Sequence, residues 1–150
     1  MKKIFTKLMV LFVLLFCVSI NLQAGITSTY EVRGDKGLLT FTCVAAADGS
    51  FVATNSDMVV TGYITRVVTN PGSPAPTDNW DVLLADGDGV DLTGANLLQN
   101  RDSANSEEVP VRYTDHALYG GKMVFSSITC TITGNSVSGA TIVIKIYIQR

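Results

Sequence analysis

Apolar and polar residues alternate with a period of two along most of this chain, the spacing of strands with one buried face. Leu39, Phe41, Cys43 and Ala45 share one face of the first clear strand, with Thr40, Thr42 and Val44 on the other. Asp48-Gly49-Ser50 ends it with turn chemistry. A long strand follows from Met58 to Thr69. Val60, Gly62, Ile64 and Val67 share a face there only if a bulge near Arg66 adds one residue, and Gly62 marks a close backbone approach. Asn70 to Thr77 holds three of the four prolines, which lack the N–H a ladder needs, so it reads as a loop or sheet edge. Trp80, Val82 and Leu84 alternate with Asp81, Leu83 and Ala85, and Asp86-Gly87-Asp88-Gly89 turns the chain into Val90 and Leu92. Ala95 to Gln99 has room for one helical turn, and Asn100 to Glu108 reads as a polar loop. Val109, Val111 and Tyr113 start another strand, which Pro110 assigns to an edge. The chain then predicts a closing hairpin. Val124 to Thr133 runs in, Gly134 to Gly139 turns, and Ile142, Ile144, Ile146 and Ile148 line one face of the return.

These elements make an all-β fold. About seven to nine strands predict a single antiparallel β-sandwich or a flattened barrel, since two packed sheets bury every apolar face. The closing isoleucine strand has two readings. At a sheet edge it accepts a strand from another subunit, and inside the sheet it is core.

The first 24 residues predict a signal peptide or N-terminal anchor, leaving 25–150 as the single β-sandwich domain. Lys2, Lys3 and Lys7 precede a 13-residue apolar run, Leu8 to Ile20, whose only polar member is Ser19. That run suits a signal-peptide core and falls short of the ~20 residues a spanning helix needs. Cleavage after Ala24 leaves eight Lys and Arg against thirteen Asp and Glu, a net charge of −5. Such a balance argues against nucleic acid, whose binding rests on Lys and Arg. It also leaves no membrane segment after cleavage. Two cysteines remain, Cys43 and Cys130; an even count in an exported chain favours a disulfide between them, against the plainer reading of two buried free thiols.

Candidate chemistry is sparse. Asp86, Asp88 and Asp91 cluster behind Asp78 and Asp81, but Val90 sits where a calcium loop needs an oxygen ligand, so a solvated hairpin turn is the better reading. His116 is the only histidine, and Asp115 beside it points to the other face of a strand. No Gly-x-Ser-x-Gly elbow occurs. The chain therefore reads as no enzyme, with no catalytic, cofactor-binding or metal residues and no cofactor. Trp80 with Tyr63, Tyr113, Tyr119 and Tyr147 offers carbohydrate stacking, against the plainer reading of Trp80 as core. Arg66, Arg101 and Arg112 read as interface anchors or as solvated surface.

Three segments carry a family likeness: Pro71 to Leu84 (PGSPAPTDNWDVLL), Asp86 to Glu107 (DGDGVDLTGANLLQNRDSANSE) and Ile132 to Ile148 (ITGNSVSGATIVIKIYI). They resemble small all-β structural proteins encoded among tailed-phage and prophage virion genes. The resemblance implies a non-enzymatic virion or prophage component that binds other protein subunits in homo- or hetero-assembly. The N-terminal segment departs from that pattern, because phage heads and tails assemble in the cytoplasm. The alternative is a secreted or cell-surface binding module, such as a fimbrial or adhesin-like subunit. Tyr147 lies fourth from the end, however, whereas chaperone-assembled pilins usually place a tyrosine next to last. Localisation follows the reading: exported, periplasmic or extracellular, or in the virion if the likeness holds.

Overall fold

The computed structural model describes residues 23–94, 97–111 and 120–150. Among them the chain forms nine strands and no helix: β1 (Gly25–Arg33), β2 (Lys36–Val44), β3 (Thr54–Asn55), β4 (Val60–Pro71), β5 (Asp81–Ala85), β6 (Glu107–Pro110), β7 (Lys122–Ser126), β8 (Thr129–Thr133) and β9 (Thr141–Gln149). They build two antiparallel sheets. The long sheet runs β1-β2-β9-β4-β6, with β7 also on β4, and the short sheet runs β3-β8-β5. One apolar cluster, from Ile26 to Ile148, draws side chains from both sheets, as a β-sandwich requires. The expected signal segment lies outside the described residues, apart from Gln23 and Ala24.

The alternation read from the sequence sets which face is buried. Leu39, Phe41 and Cys43 on β2, Val82 and Leu84 on β5, and Ile142, Ile144, Ile146 and Ile148 on β9 are all buried. Each large aliphatic side chain withdrawn in this way stabilises the fold by about 1.5–3 kcal/mol. β9 lies between β2 and β4, so the isoleucine strand is the centre of the long sheet and not a free edge. Trp80 is fully buried at the start of β5, its indole N–H donating to the Asp102 carbonyl at 3.2 Å.

Two expectations about β4 hold in detail. Its register against β9 shifts between Ile64 and Arg66, so the bulge residue is Thr65. Gly62, at φ 140°, passes so close to β9 that a Cβ there would stand 2.5 Å from the Gln149 carbonyl oxygen. Pro110 ends β6, which among the described residues pairs only with β4 and is an edge.

Three expectations are corrected. Val124 to Thr133 is not one strand. It divides into β7 in the long sheet and β8 in the short one. Buried Ser56 holds the crossing: its hydroxyl accepts from the Ile128 N–H at 2.9 Å and donates to the Met58 carbonyl at 2.8 Å. Nor do β8 and β9 form a ladder, because they belong to different sheets. Both strands carry an unbroken apolar face, and two such faces bury more area opposed across the core than side by side. Glu107, expected in the polar loop, instead begins β6.

Asn135 ties three loops at the end of the molecule where β8 passes to β9. Its side-chain oxygen accepts from the Thr77 N–H at 2.9 Å and the Val137 N–H at 3.2 Å. Its amide donates to the carbonyls of Gly49 at 2.7 Å and Val137 at 3.0 Å.

Candidate interaction surface

The outward face of the long sheet is the most developed surface among the described residues. Register places Glu31, Leu38, Tyr147, Arg66 and Pro110 in one row across five strands. The next row holds Thr29, Thr40, Lys145, Val68 and Glu108. Leu38, Val68, Val143 and Tyr147 are half-buried on this face. The Arg66 guanidinium lies over the Tyr147 ring, 3.9 Å from its centroid, and pairs with Glu108 at 2.9 Å. Both members of that ion pair are well exposed, so it orients the arginine and adds little stability. Glu31, Arg33 and Lys36 form a charged margin.

Two concavities open on this side. One, about 500 Å³, is lined by Gly34, Asp35, Thr61, Gly62, Tyr63, Met123 and Arg150. The Gln149 side-chain amide donates to Asp35 at 2.8 Å and holds that carboxyl below its ordinary value. The other, about 340 Å³, lies over Leu38 and Tyr147.

The acidic residues expected to cluster serve the backbone. Asp86 accepts from the N–H groups of Asp88 at 3.0 Å and Val90 at 2.8 Å, shaping the hairpin turn. Asp91 caps the Thr93 N–H at 2.8 Å, and Asp81 accepts from Asn100 at 2.8 Å. Among the described residues no three His, Cys, Asp or Glu side chains come together as a cation site.

Of the arginines, Arg66 sits on the outer face, while Arg101 is mostly covered and bonds Glu107 and the Gln99 carbonyl beside Trp80. Arg112, Tyr113, Asp115, His116 and Tyr119 lie outside the described residues. The burial of Trp80 removes it from any stacking surface. Cys43 and Cys130 are both free thiols and both fully buried. They face each other from β2 and β8, and a mutual hydrogen bond, reinforced by burial, raises the Cys130 thiol well above its ordinary pKa. The expected disulfide is therefore not formed in this structure, though its partners are neighbours.

What the sequence reading missed is the pairing of Arg66 with Tyr147. They are 81 positions apart, and the Thr65 bulge is what brings them opposite. No helix among the described residues is long and apolar enough to cross a membrane. Comparison with protein-family models, curated proteins and solved structures finds no match.

Proposed function

We propose that this chain is a non-enzymatic structural module that binds other protein subunits, a virion or prophage component of the tailed-phage type. The observation that carries the binding part is the outer face of the long sheet. Its half-buried Leu38, Val68, Val143 and Tyr147 surround Lys145 of the central strand, with Arg66 oriented by Glu108 and further charge at the margin. Protein interfaces share part of that anatomy: Tyr and Arg are enriched in them, and their rims are polar. The virion part rests on the likeness of the Pro71 to Leu84, Asp86 to Glu107 and Ile132 to Ile148 segments.

A second reading, an exported surface-binding module, is favoured by the facing thiols. Two buried cysteines in contact suit a chain that folds where disulfides persist. In that reading residues 1–24 direct export and Cys43 bonds Cys130.

Mass spectrometry of particles purified from the producing cells tests the choice. The virion reading expects this chain to sediment with the particles at a fixed ratio to their other subunits. Particles devoid of it, with the chain free in the exported fraction, overturn that reading and leave the second. Arg66→Ser with Tyr147→Ser tests the surface: incorporation drops at least tenfold while the melting temperature stays within a few degrees.

A further inference from the structure

Among the described residues the long sheet has three edge strands, and two are guarded. On β1, Asp57 docks onto Ser28, its N–H donating to the Ser28 hydroxyl at 3.0 Å, and Glu31 and Arg33 add charge. On β6, Glu107, Glu108 and Pro110 discourage pairing. Among the described residues nothing pairs with the far side of β7 (Lys122–Ser126).

Hydrogen-bond direction along the sheet shows what that edge presents. Thr141 accepts from Gly72 and Arg150 donates to Asp35, so odd-numbered β9 residues bond toward β4 and even-numbered ones toward β2. Gln149 opposite Tyr63 is then a hydrogen-bonded pair, which turns the backbone of Gly62 away from β9 and toward Val124. The N–H and C=O groups of Met123 and Phe125 consequently point outward along the free edge. Their side chains stand on the outer face, 52% and 74% exposed, beside Tyr63 at 47% and Val59 at 62%.

We propose that β7 pairs antiparallel with β7 of a second copy of this chain, about a two-fold axis at Val124. This names one partner for the subunit-binding reading above and rests on it. The pattern is self-complementary. With Val124 opposite Val124, each Met123 meets the other copy's Phe125 in a hydrogen-bonded pair, using every free backbone group of both residues. The outer faces join into one largely apolar strip of Tyr63, Met123 and Phe125 from each copy, bordered by Asp35 and Arg150. Together Val59, Tyr63, Met123 and Phe125 hold roughly 400–500 Å² of exposed surface per copy, scaled from typical side-chain areas. A standard interface uses about 800 Å² per partner. Flanking backbone adds to the strip, so the pair falls at the weak, concentration-dependent end of specific association.

Sedimentation velocity of the purified full chain over a concentration series tests this. The expected result is a monomer–dimer equilibrium that Met123→Lys with Phe125→Lys weakens at least tenfold, by setting like charges opposite one another at exposed positions that do not carry the fold. A Met123→Cys with Phe125→Cys variant should form disulfide-linked dimers on mild oxidation, whereas a Val52→Cys control should not. A single monomeric species up to about 1 mM, where even a millimolar Kd would show, overturns the pairing. So does a dimer that the double lysine variant leaves intact. Either result leaves the particle-association test above standing on its own.

Discussion

Cys43 of β2 and Cys130 of β8 approach from opposite sheets and share a hydrogen bond between their buried thiols. That bond and the loss of solvent hold Cys130 protonated well past its ordinary range. In the unfolded chain a thiol ionises at about 8.5. Above that pH the folded state binds more protons than the unfolded one, so stability is complete below about pH 8.5 and declines as pH rises toward the folded value. In reducing buffer the urea midpoint should fall between about pH 8 and 10, at up to about 1.4 kcal/mol per pH unit. The same titration on Cys130→Ala should be flatter. Parallel slopes would show that this thiol is not the cause.

The same approach of the two sulfurs predicts that a disulfide reagent closes the bond without rearranging the sheets. Intact mass should fall by two hydrogens, and stability should rise by at most about 4–5 kcal/mol, the chain-entropy value for so long a loop. A drop in melting temperature on oxidation would mean that the bond strains the core.

At Gly62 β4 approaches β9 closely. Gly62→Ala sets a methyl 2.5 Å from the Gln149 carbonyl at a φ of 140°, and should cost at least about 2 kcal/mol. Gly89→Ala meets nothing within 4 Å and has only its φ of 81° against it, so about 1–2 kcal/mol is expected. Chemical denaturation of both variants checks the order.

Trp80 is the single tryptophan, and it is fully buried. Its emission should be blue-shifted in the native protein and move red in one cooperative step on unfolding. Trp80→Ala should cost about 3–5 kcal/mol. Native emission resembling that of free tryptophan would contradict the packing of β5.

Asn135 anchors the loops around Gly49 and Thr77. Asn135→Ala leaves the Thr77 N–H and the Gly49 carbonyl without it, and should destabilise by about 1–3 kcal/mol. Hydrogen exchange at Thr77 should accelerate in that variant. Unchanged exchange there would show that the loop holds itself.

Much of the interior was legible as a list of residues. Period-two alternation named Leu39, Phe41, Val82, Leu84 and the four isoleucines of β9, because burying one face of a strand requires it. The bulge at Thr65 was visible as a break in that rhythm, and Gly62 as a missing side chain within it. The candidate surface was far less legible. Tyr147 and Arg66 look like ordinary outward residues until register sets one against the other. Phe125 looks like strand interior, and Met123 lies just ahead of it, until β7 proves to be an edge among the described residues.

The order of apolar side chains along the chain thus decided that the protein is built of strands, where most of them lie, and which face of each avoids water. That follows because side-chain direction in a strand alternates locally, whatever its neighbours are. Which strands are neighbours is a long-range matter, settled by how opposed faces fill the space between two sheets. Only the tertiary structure could therefore split β7 from β8, seat β9 at the centre of the long sheet, bring Cys43 to Cys130, and leave the edge beside Phe125 without a partner strand among the described residues.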